Sequence, residues 1–273
     1  MAYQCPLCQL ELHATQQGLS CDNRHQFDRA KEGYVNLMPV QHKRSKQPGD
    51  SPEMMQARRA FLDADFYHPM REKLAELILT HHQNGSCHLL DIGCGEGYYT
   101  HYIAKQLAAK NITHQVYGLD IAKVAIRYAA KRYTDVDFCV ASSYRLPFAN
   151  QSLDALVRIY APCESGEMAR VLANKGLVFT VTPAARHLFQ LRELVYPDVR
   201  LHDETSEEIE GFELVEAQKL EYKMQLSGQD AFNLLQMTPF AWKADQKIQQ
   251  GLAAMSEFEC EAGFMIHVYQ KRA

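Results

Sequence analysis

A glycine-rich turn between an apolar run and a helical pattern is the feature that most constrains the fold of this chain. In LLDIGCGEGYYT, Gly93, Gly95 and Gly97 stand directly after the apolar run and before the helical pattern. Because glycine has no side chain, such a turn lets the backbone approach a bound ligand closely. Tyr98 stands where the dinucleotide fingerprint has its last glycine or alanine, so a dinucleotide site is not predicted. The turn also lacks the Gly-Lys-Ser/Thr of a phosphate-binding P-loop.

Strand and helix patterns alternate from residue 88 onward. Apolar strand patterns cover residues 88–93, 115–121, 136–142, 153–162 and 176–183, and helical patterns cover 98–110, 123–133 and 164–173. Later strand patterns at 211–226 and 261–272 bring the predicted sheet to seven strands, whereas residues 184–215 read as irregular. The alternation predicts an α/β fold with a mostly parallel sheet and helices on both faces.

Polar residues at the ends of the predicted strands extend the candidate site. Asp120 ends the second strand pattern, where its carboxylate can accept hydrogen bonds from both hydroxyls of a ribose. Asp91 precedes the glycine turn, and Ser142 ends the third strand pattern. The alternatives are a tight turn without a ligand and an aspartate that only caps a helix or faces solvent.

A second motif occupies the N-terminal region. Cys5, Cys8, Cys21 and His25 follow the pattern C-x2-C-x12-C-x3-H, which has the ligand types and spacing of a structural zinc site. Four protein ligands leave no open position for catalysis. A segment of roughly 35 residues cannot bury a sufficient core, so a metal would supply the missing stability. His13 lies between the two pairs as a competitor for His25, which is preferred because C-x3-H closes a tight second knuckle.

Composition narrows the class of protein without naming a partner. The 273 residues carry a net charge of -4 and a hydrophobic content of 47%, so the chain as a whole shows no preference for nucleic acid. No apolar run approaches the roughly 18 residues of a membrane span, and the N-terminus lacks the pattern of a secretory signal. The eight cysteines are expected to be reduced thiols, and the expected location is the cytoplasm.

A charged stretch with proline and glycine follows the metal pattern and indicates a boundary. Ser51 is placed to cap a helix that begins with Pro52 and Glu53, and a second helical pattern follows Pro69. Basic side chains surround the boundary and could contact phosphates, although charge runs are more often simply solvated. These side chains are Arg24, Arg29, Lys31, Lys43, Arg44, Lys46, Arg58 and Arg59.

The motifs together resemble a known family. Between residues 88 and 182 the chain contains four motifs in succession, LDIGCGEG, GLDIA, ASSYRLPF and SLDALV. They resemble the successive motifs of the class I S-adenosylmethionine-dependent methyltransferases. The chain also contains the metal pattern and the segments RIYAPC and LLQMTPFAW. Taken together, these features resemble the bacterial large-subunit ribosomal RNA (guanine-N1) methyltransferases of the RlmA type nearly end to end. The resemblance implies S-adenosylmethionine and a structural Zn²⁺ as cofactors, and N1 of a guanine in a 23S rRNA hairpin loop as the acceptor. By the same resemblance Tyr67, Gly95, Glu96 and His187 contact the cofactor.

The acceptor pocket is predicted at IYAPC, after the fourth strand pattern. Tyr160 could stack on the guanine, and backbone carbonyls near Ala161 and Pro162 could bind its edge, so Tyr160 and Pro162 are the candidate catalytic residues. The acceptor of the N1 proton is left open among Tyr160, Glu164 and His187. Cys163 is expected to pack, because N1 methylation needs no thiol nucleophile. Phe240 and Trp242 could stack on RNA or belong to the core.

The predicted organisation has three parts. Residues 1–38 form a zinc-binding RNA-recognition domain, residues 39–68 a basic linker and helix, and residues 69–273 a Rossmann-like methyltransferase domain. The expected partner is a 23S rRNA hairpin loop with no membrane, and the resemblance suggests a homodimer. Two alternatives remain: a methyltransferase of a small molecule such as a quinone precursor, and an inactive zinc-containing RNA-binding protein.

Overall fold

The computed structural model describes residues 3–39, 51–82 and 85–272, so Lys43, Arg44 and Lys46 lie outside the described residues. The N-terminal part contains four short strands and two helices: β1 (His13–Ala14), β2 (Gly18–Ser20), β3 (Gln26–Asp28), β4 (Val35–Asn36), α1 (Pro52–Asp63) and α2 (His68–His81). The alternating part contains β5 (Cys87–Ile92), α3 (Tyr98–Ala109), β6 (His114–Asp120), α4 (Lys123–Arg132), β7 (Asp137–Val140), β8 (Leu153–Ile159), α5 (Ser165–Val171) and β9 (Leu172–Pro183). The C-terminal part contains α6 (Phe189–Val195), β10 (Phe212–Leu226), α7 (Gly228–Gln236), a 3-10 helix (Pro239–Trp242), α8 (Gln246–Ala253) and β11 (Phe258–Lys271).

The main sheet has the strand order β10-β11-β9-β8-β5-β6-β7-β4. Strands β9, β8, β5, β6, β7 and β4 run parallel, whereas β11 pairs antiparallel with both β9 and β10. The seven-stranded, mostly parallel sheet predicted from the sequence is therefore confirmed. Strand β4 adds an eighth strand at the edge, which the sequence patterns did not reveal.

The region around the metal pattern shares the core of the sheet. Val35 pairs with Cys139, and Leu37 donates a backbone hydrogen bond of 2.9 Å to the carbonyl of Val140. Tyr3, only 1% exposed, packs in an apolar cluster with Phe148 of the segment between β7 and β8. The region around the metal pattern therefore shares an apolar cluster with the sheet, and the boundary predicted after residue 38 remains a prediction.

Helix α1 begins where the sequence predicts. The Ser51 hydroxyl accepts a hydrogen bond of 3.2 Å from the backbone N–H of Met54, and Pro52 occupies the first turn. On the buried face, Phe61 is fully enclosed and packs at 5.0 Å between ring centroids against Tyr67. The helix after the basic stretch is therefore docked on the body of the molecule.

Some elements differ from the sequence patterns. Residues 184–215, predicted to be irregular, contain the short helix α6, whereas β10 begins where the strand pattern at 211–226 places it. Helices α7 and α8 lie in a region where no element was predicted. Among the described residues, no helix is both long and apolar enough to cross a membrane.

Candidate cofactor and acceptor site

The glycine turn connects β5 to α3 in a conformation that side chains resist. The φ angles of Gly93, Gly95 and Gly97 are 74°, 55° and 80°, all in the left-handed region. A Cβ on Gly93 would lie 2.6 Å from the Cβ of Ala161, and one on Gly97 would lie 2.9 Å from the ring of Phe138. Both conformation and space therefore require glycine, and the loop packs directly on the segment after β8.

Asp120 supports the glycine loop from the end of β6. Its Oδ2 accepts a hydrogen bond of 2.9 Å from the Gly95 N–H, and its Oδ1 accepts one of 2.8 Å from the Ala122 N–H. Each carboxylate oxygen has a second lone pair, so the half-buried group can still accept ribose hydroxyls. The sequence-predicted carboxylate and glycine turn are thus brought together.

Asp91 lies beneath the loop and is only 1% exposed. The pKa of Asp91 is raised to about 7, chiefly by burial; a 2.6 Å hydrogen bond from the Thr100 hydroxyl opposes the rise, and the nearby charge of Asp120 adds to it. This placement makes Asp91 a support for the loop and the start of α3.

Ser142 lies at the same edge of the sheet, just past β7. The preceding residue, Ala141, donates its N–H to the carbonyl of Asp120 at 3.1 Å. The Ser142 hydroxyl accepts a hydrogen bond of 3.2 Å from the backbone N–H of Tyr144 and so stabilises a turn. Ser142 therefore borders the candidate cofactor site through the shared strand edge.

The side chain of Glu96 contacts the protein rather than projecting freely. Its two carboxylate oxygens accept hydrogen bonds of 2.6 and 2.7 Å from Nε and Nη2 of Arg59 on α1. Only 17% of the Glu96 side chain is exposed. The resemblance implies that Glu96 contacts the cofactor. Because its carboxylate is bound to Arg59, such a contact would have to come from the Glu96 backbone.

An aromatic group lies beside Tyr160 and includes two residues suggested by the resemblance. Tyr67 and His187 are 5% and 8% exposed, and both rings pack against Phe264 of β11, at centroid distances of 5.1 and 4.9 Å. The ring of His187 lies 6.3 Å from that of Tyr160. Residues distant in sequence thus meet beside the segment predicted to bind guanine.

The protonation of His187 follows from its surroundings. Its Nδ1 accepts a hydrogen bond of 3.3 Å from the Gly263 N–H, so Nε2 carries the proton of the neutral ring. Burial, followed by the neighbouring His202, lowers the pKa of His187 to about 3. His187 is therefore neutral near pH 7 and is a poor acceptor for the guanine proton.

The segment after β8 combines strain with exposure. Tyr160 has a φ of 55°, a conformation that costs a bulky residue about 1–3 kcal/mol and concentrates at functional sites. It nevertheless leaves 51% of its surface exposed. Pro162, also exposed, continues the same segment. Tyr160 and Pro162 thus have the accessibility that a wall of an acceptor pocket needs.

Cys163 does not behave as a nucleophile. Its thiol donates a hydrogen bond of 3.1 Å to the carbonyl of Ser143, and burial raises the pKa of Cys163 to about 12. The thiol therefore stays protonated near pH 7. The expectation that this cysteine packs agrees with its surroundings.

The four residues of the metal pattern converge. Their ligand atoms all lie within 4.8 Å of one another, with 3.6 Å between Cys8 Sγ and Cys21 Sγ, and 3.5 and 3.4 Å from His25 Nδ1 to Cys5 Sγ and Cys21 Sγ. A tetrahedral zinc with Zn–S bonds of about 2.3 Å separates its sulfurs by about 3.7 Å, so the donor set fits. His13 instead faces Asp22, at 3.8 Å between Nε2 and Oδ1. The preference for His25 over His13 is thus supported by the geometry.

Sequence reasoning missed several residues that build the site. Arg59 was seen only as one member of a basic run, and Thr100 and Phe264 were not singled out at all. Their partners, Glu96, Asp91 and His187, are remote in sequence, so no local motif could have signalled the contacts.

The parallel sheet, the glycine loop after β5 and the carboxylate after β6 define a class I S-adenosylmethionine-dependent methyltransferase. Residues 3–46 match the zinc-ribbon family described as RlmA, N-terminal, and residues 89–176 match a methyltransferase domain. The 23S rRNA (guanine(748)-N(1))-methyltransferase of Streptomyces fradiae is 31% identical over 249 residues, which cover 89% of this chain and 86% of that protein. A Bacillus subtilis protein named as a candidate 23S rRNA (guanine-N(1)-)-methyltransferase, YxjB, is 32% identical over 89% of this chain and 87% of its own. The chain belongs to the family of 23S rRNA (guanine-N1)-methyltransferases.

Proposed function

We propose that this chain transfers a methyl group from S-adenosylmethionine to N1 of a guanine in a hairpin loop of 23S rRNA. The observation that carries the proposal is the packing of the glycine loop on the segment that bears Tyr160, with no room for a side chain between Gly93 and Ala161. A guanine stacked on Tyr160 would therefore lie beside a cofactor held by the loop. Membership of the family supports the same reaction and acceptor.

We assign the cofactor-binding roles by the family resemblance, and the position of the glycine loop beside Asp120 supports them. Gly93, Gly95 and Gly97 would hold the amino-acid end of the cofactor, and Asp120 would accept hydrogen bonds from its ribose. Tyr67 and His187 would also contact the cofactor, and Asp91 and Ser142 would support the loop and the strand end beside it. When bound there, S-adenosylmethionine would supply the methyl group of its sulfonium, and the leaving group would be the neutral thioether.

The protein contributes positioning rather than covalent catalysis. N1 of guanine is paired in a duplex, so the base must be single-stranded or extruded before Tyr160 can stack on it. Carbonyl groups near Pro162 then bind the guanine edge and aim N1 at the methyl group. The protonated thiol of Cys163 takes no part. The lowered pKa of His187 removes that residue from the three candidates for the N1 proton, and the Tyr160 hydroxyl, which is protonated near pH 7, is no better an acceptor. Glu164 is then the remaining candidate.

The zinc ribbon serves the RNA rather than the methyl transfer. Arg24, Arg29 and Lys31 are exposed around the ribbon and can neutralise phosphates without reading the sequence. Three roles remain predictions: RNA recognition by residues 1–38, a basic linker and helix at 39–68, and methyl transfer by residues 69–273. So do the homodimer and the cytoplasmic location.

The test uses labelled S-adenosylmethionine and 23S rRNA that lacks the modification. Label is expected in the RNA, and reverse transcription is expected to stop at one loop guanine, because a methyl on N1 blocks base pairing. Label that enters a small molecule of a cell extract but never RNA would favour the small-molecule alternative and exclude the proposal.

A separate measurement tests the cofactor site. Asp120→Ala is expected to weaken binding of S-adenosylhomocysteine, because the ribose hydroxyls and the Gly95 N–H lose their acceptor. Asp154→Ala is the matched control. Asp154 accepts a hydrogen bond from the His88 N–H near the N-terminal ends of β8 and β5, whereas the glycine loop follows the C-terminal end of β5. Unchanged affinity in Asp120→Ala would refute the assigned site while leaving the reaction open.

A further inference from the structure

One ion pair joins the cofactor loop to the helix that follows the basic linker. Arg59 and Glu96 form a two-pronged contact, with 2.6 Å from Nε to Oε2 and 2.7 Å from Nη2 to Oε1. The exposed fractions of the two side chains are 32% and 17%, so solvent screens the pair only partly. Paired hydrogen bonds between guanidinium and carboxylate fix direction as well as distance.

The loop needs an external anchor because its own residues provide little. Three of its members are glycines with positive φ, which lose the most conformational freedom on ordering. Glu96 is the one residue between Gly93 and Gly97 with a charged side chain. Apart from Glu96, the described hydrogen bonds of the loop run between its backbone and Leu119, Asp120, Cys94 or His101.

Arg59 is itself held in place from two sides. Its guanidinium carbon lies 4.0 Å from the ring centroid of Tyr128 on α4, a cation–π contact. One turn earlier on α1, Met55 packs in a small apolar cluster with Ala125 of α4 and with Ala122, which directly precedes α4. The arginine therefore presents its two donors to Glu96 from a fixed position, so little entropy is lost when the loop adopts its bound shape.

We propose that Arg59 is a positioning residue for methyl transfer: through the Glu96 carboxylate it holds the turn from Gly95 to Gly97 in the shape that receives the cofactor. Glu96 thus serves the site by its anchored side chain, and Arg59 acts without touching the cofactor. The inference rests on the proposed function only in taking the glycine loop as the cofactor site. It predicts a loss of cofactor affinity rather than of the chemical step.

The test measures binding of S-adenosylhomocysteine to the full-length chain by calorimetry. Arg59→Ala is expected to weaken binding by about tenfold, the scale of losing one charge-assisted hydrogen-bond pair. Arg59→Lys, which keeps the charge but not the fork, is expected to lie between wild type and Arg59→Ala. In RNA methylation assays, KM for S-adenosylmethionine should rise while kcat at saturation changes by less than about twofold.

Arg132→Ala is the matched control. Arg132 binds Asp63 at 2.7 Å and so also ties α4 to α1. It acts on Glu96 only through its charge and makes no described hydrogen bond or ion pair with the glycine loop. Its affinity is expected to stay within about twofold of wild type. Equal losses in Arg59→Ala and Arg132→Ala would overturn the proposal, because docking of α1 as a whole would then explain both.

A double-mutant cycle completes the test. Once Arg59 is alanine, Glu96→Gln should cost no further affinity, because the two side chains act as one contact. Losses that simply add would overturn the inference. The binding measurements need no RNA, so a chain that binds the cofactor product but fails to methylate 23S rRNA would refute the proposed function and leave this inference standing.

Discussion

Tyr3 packs its ring against that of Phe148, with centroids 5.1 Å apart and both residues almost wholly buried. The same tyrosine contacts Tyr117 of β6 at 5.4 Å. The chain two residues before the first metal ligand is therefore wedged into the core of the catalytic sheet. This contact makes the stability of the zinc ribbon and of the sheet interdependent.

Removing the Tyr3 ring is expected to destabilise the whole molecule. Tyr3→Ala leaves a cavity in the shared core and should lower the free energy of unfolding by about 3–5 kcal/mol, as for other buried aromatic residues. Urea denaturation followed by far-UV circular dichroism measures the change. Tyr3→Phe keeps the ring and is the control. Because the buried Tyr3 hydroxyl has no hydrogen-bond partner among the described residues, its removal should cost less than about 1 kcal/mol. A mild Tyr3→Ala would mean that the ribbon does not share this core.

Loss of a zinc ligand is expected to lower stability without abolishing the sheet. His25→Ala removes one of four converging ligands and should reduce bound zinc, measured by atomic absorption, and lower Tm. His13→Ala is matched in chemistry but lies outside the cluster, so zinc content and Tm should match wild type. Equal zinc loss in both variants would contradict the ligand assignment.

The buried carboxyl of Asp91 is expected to make stability depend on pH. Its folded pKa of about 7 exceeds the unfolded value of about 3.9, so between these values the folded state binds more protons. Raising the pH from about 4 to about 7 therefore favours unfolding of wild type. Asp91→Asn lacks this titration, and its hydrogen bond from Thr100 can persist. The measurement is the difference between the two unfolding free energies across this pH range. Parallel curves would show that Asp91 is ionised in the folded state.

The single tryptophan offers a direct probe of RNA binding. Trp242 is 77% exposed, although Phe240 of the same 3-10 helix packs at 6.0 Å from Tyr196. Stacking of an RNA base on Trp242 should quench its fluorescence, and Trp242→Ala should weaken RNA binding by an amount near the 1–3 kcal/mol of one stacked base. Trp242→Phe should recover most of the affinity, and cofactor binding should not change. An unchanged emission spectrum at saturating RNA would show that no base stacks there.

Features encoded in short stretches could be predicted from the sequence. The positive φ angles at Gly93, Gly95 and Gly97 and the cap at Ser51 depend on neighbours within a few residues. The spacing of the metal pattern likewise identified ligands that converge in space. In each case the residue type is required by local backbone geometry or by coordination chemistry.

Contacts between distant residues could not be predicted from the sequence. Such contacts depend on the tertiary fold, which brings remote segments together. Examples are the ion pair of Arg59 with Glu96, the packing of Tyr3 on Phe148 and the strand pairing of Val35 with Cys139. A two-residue strand such as β4 also leaves no alternating pattern. Tyr160 was selected for its position after the fourth strand pattern, but its strained backbone could not be predicted, since no sequence rule places an aromatic residue at positive φ.

Strand β4 has a consequence for synthesis of the protein on the ribosome. Val35 is made early, but its partner Cys139 follows roughly one hundred residues later, so the N-terminal segment cannot complete its core until β7 has emerged. During that interval the nascent ribbon has few apolar partners of its own. Zinc captured by the first 25 residues would preserve its local shape while the rest of the chain is translated. The metal would then keep the N-terminal segment folded during translation, until β7 has been synthesised and can pair with β4.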